Sequence, residues 1–122
     1  MPQESRDPRE LLPLASHDFQ VLLCLAEAPR HAYGLASAVE TSGPPGPVRL
    51  EIGSLYRMLA RLTADGLIED FDPPADAEGH EARRRYYRLT AFGRRVAKAE
   101  AARLEAVVRV ARRHRLLPSR SR

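Results

Sequence analysis

The chain has no tryptophan, a single cysteine and, among its 20 basic residues, a single lysine, Lys98. One cysteine, Cys24, excludes an internal disulfide framework and suits a reducing compartment. No apolar run approaches the roughly 20 residues that span a bilayer. The polar start Met1-Pro-Gln-Glu-Ser-Arg-Asp lacks the apolar stretch of a signal peptide. A soluble, cytoplasmic protein with no membrane partner is expected. The four histidines, His17, His31, His80 and His114, are dispersed and share no ligand spacing with cysteine or carboxylate. There is no phosphate-cradling glycine loop and no nucleophile elbow. Neither an enzyme, nor a metal, nor a cofactor is expected.

What is present is enough for one modest core: 122 residues, 43% of them hydrophobic. The net charge of +4 hides a segregation. Residues 65–81 carry seven acids and no Lys or Arg, residues 82–98 carry seven bases and no acid, and residues 112–122 add five arginines. A local basic block is a better sign of an anionic partner than an average charge, because an electrostatic footprint is a patch. Arg favours forked phosphate and guanine contacts, but a GC-rich coding bias would give the same composition and is the first explanation for it.

In chain order, residues 1–13 are polar, punctuated by proline and expected to be flexible. Ser16 reads as the N-cap of a first helix, with Asp18 in its first turn. Phe19-Gln-Val-Leu-Leu-Cys-Leu-Ala is apolar almost all round, so that helix is buried on more than one side and Cys24 is a packed thiol. Pro29 ends it. A second helix covers about Ala32 to Thr41, with Leu35, Ala38 and Val39 inward. Ser42-Gly-Pro-Pro-Gly-Pro breaks it into a loop, and Val48-Arg49-Leu50 alternates like a very short strand. Leu67–Phe71 and Arg84–Leu89 read as two strands around a polar, acidic-to-basic loop, a wing-shaped hairpin. Asp72, Asp76, Glu78 and His80 in that loop read as a solvated surface. Thr90 caps a last helix running to about His114, with Ala97, Ala101, Leu104, Val108 and Ala111 in one stripe and Val96 and Val107 widening it. That helix outruns a small core, so its stripe calls for the same helix of a second subunit or for the first helix of its own chain.

Between these lies Leu50–Leu67. Leu55, Leu59 and Leu62, with Met58, make one apolar stripe, while Ser54, Arg57 and Arg61 share another face and Asp65-Gly66 stops the helix. The order helix, helix, short strand, helix, hairpin, long helix is that of a winged helix-turn-helix: mainly α with a small β-hairpin, plus a C-terminal dimerisation helix. The expected division is a flexible segment at 1–13, a DNA-binding domain at 14–90, a dimerisation helix at 91–114 and a basic tail at 115–122.

On that architecture Arg57 and Arg61 are candidates to read base edges, and Ser54 beside the helix N-terminus to hold a phosphate. Tyr56 is open between DNA and the core, and Tyr33 between the core and a backbone contact. Arg83, Arg84 and Arg85 follow the wing tip and should neutralise phosphates, although Arg85 can instead answer Glu69 and Asp70. Tyr87, Leu89, Leu55 and Leu62 read as core.

The pieces His31-Ala-Tyr-Gly-Leu, Gly53-Ser-Leu-Tyr-Arg-Met-Leu-Ala-Arg-Leu, Asp65-Gly-Leu-Ile-Glu and Arg84-Arg-Tyr-Tyr-Arg-Leu-Thr-Ala-Phe-Gly, in that order within residues 14–93, resemble the PadR-like transcriptional regulators. The single last helix resembles their short subfamily. The resemblance implies a homodimeric, usually repressing protein that binds a double-stranded DNA operator. It implies a third helix in the major groove with Tyr56 at a DNA-contacting position, a wing on the backbone or minor groove, and a dimer built from the first and last helices. Some members release DNA when a small-molecule effector binds. Two positions depart from the pattern: Glu51-Ile52, where relatives often carry Ser or Gly and then Pro, and Ala32, where glycine is frequent. A winged helix serving as a protein-interaction or ligand-sensing module without its own operator is the alternative.

Overall fold

The computed structural model describes residues 6–42, 50–73, 75, 76, 78, 79 and 84–118. After a turn of 3-10 helix at Pro8–Leu11 come α1 (Ser16–Glu27), β1 (Arg30–His31), α2 (Ala32–Ser42), α3 (Ile52–Ala64), β2 (Ile68–Phe71), β3 (Tyr86–Leu89) and α4 (Ala91–Arg113). The sheet is antiparallel in the order β1-β3-β2, with Ile68 opposite Leu89 and Arg30 opposite Tyr87. The core joins Val21, Leu22 and Leu25 of α1, Leu35 and Val39 of α2, Leu55, Leu59 and Leu62 of α3, Ile68 of β2, and Phe92 and Val96 of α4. Tyr87 and Leu89 pack against it.

The third strand differs from expectation. Val48 and Arg49 lie outside the described residues and Leu50 is in no strand; the edge strand is Arg30–His31. Pro29 cannot continue α1, and the two residues after it extend along β3. A two-residue strand has no alternation to betray it. At the start of α1 the N-cap position is Ala15, without a side-chain capping bond, and Ser16 already lies inside the helix. The N-terminal segment expected to be flexible contains the 3-10 turn, which packs along α4. Arg6 also lies over the Phe92 ring and donates to the Asp65 carbonyl.

Two glycines shape the corner between α3 and α4. Gly66 has φ of 80°, the left-handed conformation that ends a helix, and its N–H donates to Thr63 O while Leu67 N–H donates to Leu62 O, both at 3.0 Å. Leu67 therefore closes the helix cap, and the strand begins one residue later than the apolar run suggested. Thr90 caps α4, its Oγ1 accepting from Gly93 N–H at 2.8 Å and donating to the Gly66 carbonyl at 2.6 Å. At Gly93 the backbones come so close that a Cβ would lie 1.9 Å from Leu67 O. Because that neighbour is backbone, it cannot swing away. Gly93→Ala should cost about 3 kcal/mol or more, seen as a large drop in melting temperature by circular dichroism; a variant melting within a few degrees of the parent would refute the close approach.

Candidate nucleic-acid interface

The face of α3 opposite its core stripe is where the candidate residues converge. Leu55, Met58, Leu59 and Leu62 are buried, and Tyr56, Arg57 and Arg61 face out. Tyr56 is 47% exposed, which takes it out of the core. Arg57 donates from Nη2 to Ser54 Oγ at 3.1 Å, so these two form one exposed polar pair on the first two turns. Glu51 is the N-cap residue of α3, is exposed and makes no side-chain capping bond. The first-turn N–H groups of a helix have no partner within the helix, which suits an acceptor from outside it.

Arg61 is engaged within the chain. Its Nη1 and Nη2 donate to the two carboxylate oxygens of Asp18, at 2.8 and 3.1 Å. The Asp18 carboxylate raises the pKa of the guanidinium above its ordinary value. Half of the Arg61 side chain is still exposed, but its fork is occupied.

Tyr33, at the start of α2, is 56% exposed, so of the two readings left open for it the core is excluded. Arg84 sits over its ring, 5.1 Å from the centroid, with Nη1 at 3.3 and 3.2 Å from the two ring nitrogens of His31. His31 Nδ1 accepts from Gly34 N–H at 3.0 Å, and its ring meets Tyr86 edge-on at 5.3 Å. The structure thus gathers Tyr33 and Arg84 around a histidine that sequence reasoning had left aside. Arg85 pairs with Asp70 at 3.1 Å, the outcome weighed for it, and Arg88 pairs with Glu69 at 2.8 Å while lying over Phe71. Both pairs are exposed, and exposed pairs are worth less than about 1 kcal/mol. Arg83 lies outside the described residues. Burial pushes the Tyr87 phenol up, with the Tyr56 phenol and the Asp70 carboxylate adding to the rise.

Nothing in the sequence pointed to Asp18 and Arg61 as partners, because they are 43 residues apart. Among the described residues no group of three or more His, Cys, Asp and Glu could hold a metal ion, and no helix is long and apolar enough to cross a membrane.

A second feature lies between α1 and α4: a groove of about 680 Å³ lined by Phe19, Leu23, Cys24, Glu100, Arg103 and Leu104, among others. Glu100 is 1% exposed and fully engaged, accepting from Leu14 N–H at 3.1 Å and from Arg103 Nε and Nη2 at 2.7 and 3.0 Å. Val96 and Ala97 of α4 are buried in the chain's own core, whereas Val107, Val108, Val110 and Leu116 further along are exposed. The long helix therefore folds back over its first half only.

An open three-stranded antiparallel sheet beside a helix whose polar face is exposed, following a second helix, defines a winged helix-turn-helix. The family model for the transcriptional regulator PadR-like family matches residues 21–99, and the chain belongs to that family. Membership makes it a transcriptional regulator rather than an enzyme. Solved structures agree in fold. A PadR family transcription regulator from Clostridium difficile superposes with a TM-score of 0.69 at 20% identity, covering 82% of this chain and 98% of that one. A PadR-like transcription factor from Bacteroides fragilis gives 0.65 at 20% identity, with 80% and 87% covered. A mutant MarR from E. coli gives 0.68 at 19% identity, with 92% and 72% covered. No curated protein matches significantly.

The buried carboxylate sets a pH dependence. The Arg103 guanidinium holds Glu100 below its ordinary value of 4.5, with the Leu14 N–H adding to the effect. A depressed carboxylate stabilises the fold above its unfolded pKa, and that contribution fades as pH falls through the lower folded value. Melting curves should therefore show wild type losing stability below about pH 4.5. Glu100→Gln should start about 2 kcal/mol lower at neutral pH and be flatter through that window. Parallel acid profiles for the two proteins would remove Glu100 from the account.

Proposed function

We propose that the chain is a homodimeric, cytoplasmic repressor that binds an inverted-repeat operator through α3 and releases it when a small-molecule effector binds. The observation that carries the reading is the division of α3: its apolar stripe is consumed by the core, while Tyr56 and Arg57 stand exposed on its first turns with the half-buried Ser54 bonded to Arg57. Helix-turn-helix proteins meet base edges with the N-terminal residues of that helix. Arg57 has the fork that reads guanine, and Ser54 beside the N-terminal N–H groups of α3 suits a phosphate. Arg84, braced on Tyr33, can contact the DNA backbone from the root of the wing, and Arg85, in a weak exposed pair, can exchange Asp70 for a phosphate. Residues 14–90 make up this reading unit.

The dimer is supported by the exposed valines on the second half of α4 and by Leu23, 49% exposed on α1 beside the groove. Regulation by an effector is supported by the groove's size, which falls in the range of small-molecule sites.

Fluorescence anisotropy with a random-sequence duplex tests the core of this reading. Binding should fall steeply with salt, because neutralised phosphates release counterions. Arg84→Ala should lower the log–log salt slope by about one. Arg57→Ala should instead cost about 1–3 kcal/mol on a preferred sequence and relax the preference. A folded chain without salt-dependent binding points to the protein-interaction alternative. Sedimentation at micromolar concentration should return a dimer, and Val107→Asp with Val110→Asp a monomer; a monomeric parent chain removes the dimer from the proposal.

A further inference from the structure

Asp18 is 7% exposed, in the first turn of α1, and both of its carboxylate oxygens are taken by Arg61 of α3. A two-bond fork between planar groups fixes orientation as well as distance, which a single point contact does not. The packing of α3 is chiefly against α2 and β2, so this fork adds a tie to α1 from a different direction.

The position of Arg61 on α3 gives the tie its consequence. It follows Ser54 by seven residues and Arg57 by four, so the three lie in one stripe along the helix. Arg61 ends the stripe where it meets α1, and Ser54 and Arg57 begin it where a reading helix meets base edges. Holding one end of a stripe on a rigid helix sets the rotation of the other end. A rotation of roughly 20° moves a side-chain tip about 6 Å from the axis by about 2 Å. That exceeds the tolerance of hydrogen bonds that run over about 2.7–3.2 Å. The same end of α3 is also fastened through the Asp65 carbonyl, which accepts from Arg6, itself stacked on Phe92 of α4. The C-terminal end of α3 is thus tied to its surroundings twice.

We infer that Asp18 is a positioning residue for DNA reading: it grips Arg61 and so turns Ser54 and Arg57 into register, and Arg61 acts through Asp18 rather than on a base. The inference rests on the DNA-binding function proposed above.

A double-mutant cycle separates the two roles open to Arg61. Wild type, Asp18→Asn, Arg61→Met and the double variant are titrated by fluorescence anisotropy against two duplexes over a salt series. One duplex is the sequence enriched by wild type from a random library, the other a scrambled version of it. Circular dichroism confirms that each protein is folded at the assay temperature. Each single variant should lose about tenfold in the ratio of the two affinities, the double variant should be no worse than either, and the salt slope should stay that of wild type. A further loss on adding Arg61→Met to Asp18→Asn, with a slope smaller by about one, would show Arg61 on the DNA and overturn the inference. Tighter binding by Asp18→Asn would overturn it too, making Asp18 a competitor for Arg61. Arg61→Lys keeps the charge but loses the fork, and serves if the harsher variants unfold: positioning predicts lost discrimination at an unchanged slope, and retained discrimination contradicts it. A folded wild type that binds neither duplex sinks the DNA reading and this inference with it.

Discussion

The rest of the structure depends on the close passage of the first turn of α4 across the end of α3. Gly93 leaves no room for a side chain against the Leu67 carbonyl, and Thr90 ties the same corner by capping α4 and donating to Gly66 O. Thr90 N–H also donates to Leu67 O at 3.1 Å, so one backbone oxygen serves both as a hydrogen-bond acceptor and as the wall against Gly93. Three elements meet there: α3 ends, β2 begins and α4 departs. Any loosening at this corner would change the angle between α3 and α4 together with the register of the wing.

Around that corner, pairing decides which arginines are available to a nucleic acid. Composition makes nearly every cation an arginine, but the structure sorts them by partner. Arg103 is committed to a buried carboxylate and Arg61 to a nearly buried one, while Arg85 and Arg88 form weaker, exposed pairs with acids across the hairpin. Arg57 and Arg84 contact only neutral groups in the hydrogen bonds described, a serine hydroxyl for one and a histidine ring for the other. An arginine held by a neutral partner gives up little on meeting a phosphate or a guanine, whereas one in a desolvated ion pair must first lose its carboxylate. The seven acids and seven bases that stood apart in sequence are partly folded onto each other by the β2–β3 pairing. The basic block is a smaller free patch than its sequence suggests.

Periodicity and punctuation made most of the helical frame legible. The stripe through Leu55, Leu59 and Leu62, the Asp65-Gly66 stop and the Thr90 cap each reflect a local rule, and each stands within a residue of where it was expected. The edge strand at Arg30–His31 was not legible, because its hydrogen bonds come from a partner strand more than fifty residues away. Of the site, the Ser54–Arg57 pair follows from helix spacing alone, whereas Tyr56 borders the apolar stripe and its exposure is settled only by packing. The capture of Arg61 by Asp18 and the bracing of Arg84 by His31 do not, since both join residues brought together only by the packing of α1, α2 and the sheet. The anchoring of residues 6–14 on α4 was hidden for the same reason: polar, proline-rich composition masks contacts such as Leu14 N–H to Glu100.

The central claim is that a dimer presents α3 from each subunit to a double helix. Selection of bound sequences from a random duplex library, using the full chain, tests it most directly. The account predicts an enriched inverted repeat whose half-sites are about one helical turn, roughly 10 base pairs, apart or a multiple of it. No enrichment by a folded chain, or enrichment of a single site without two-fold symmetry, would contradict it.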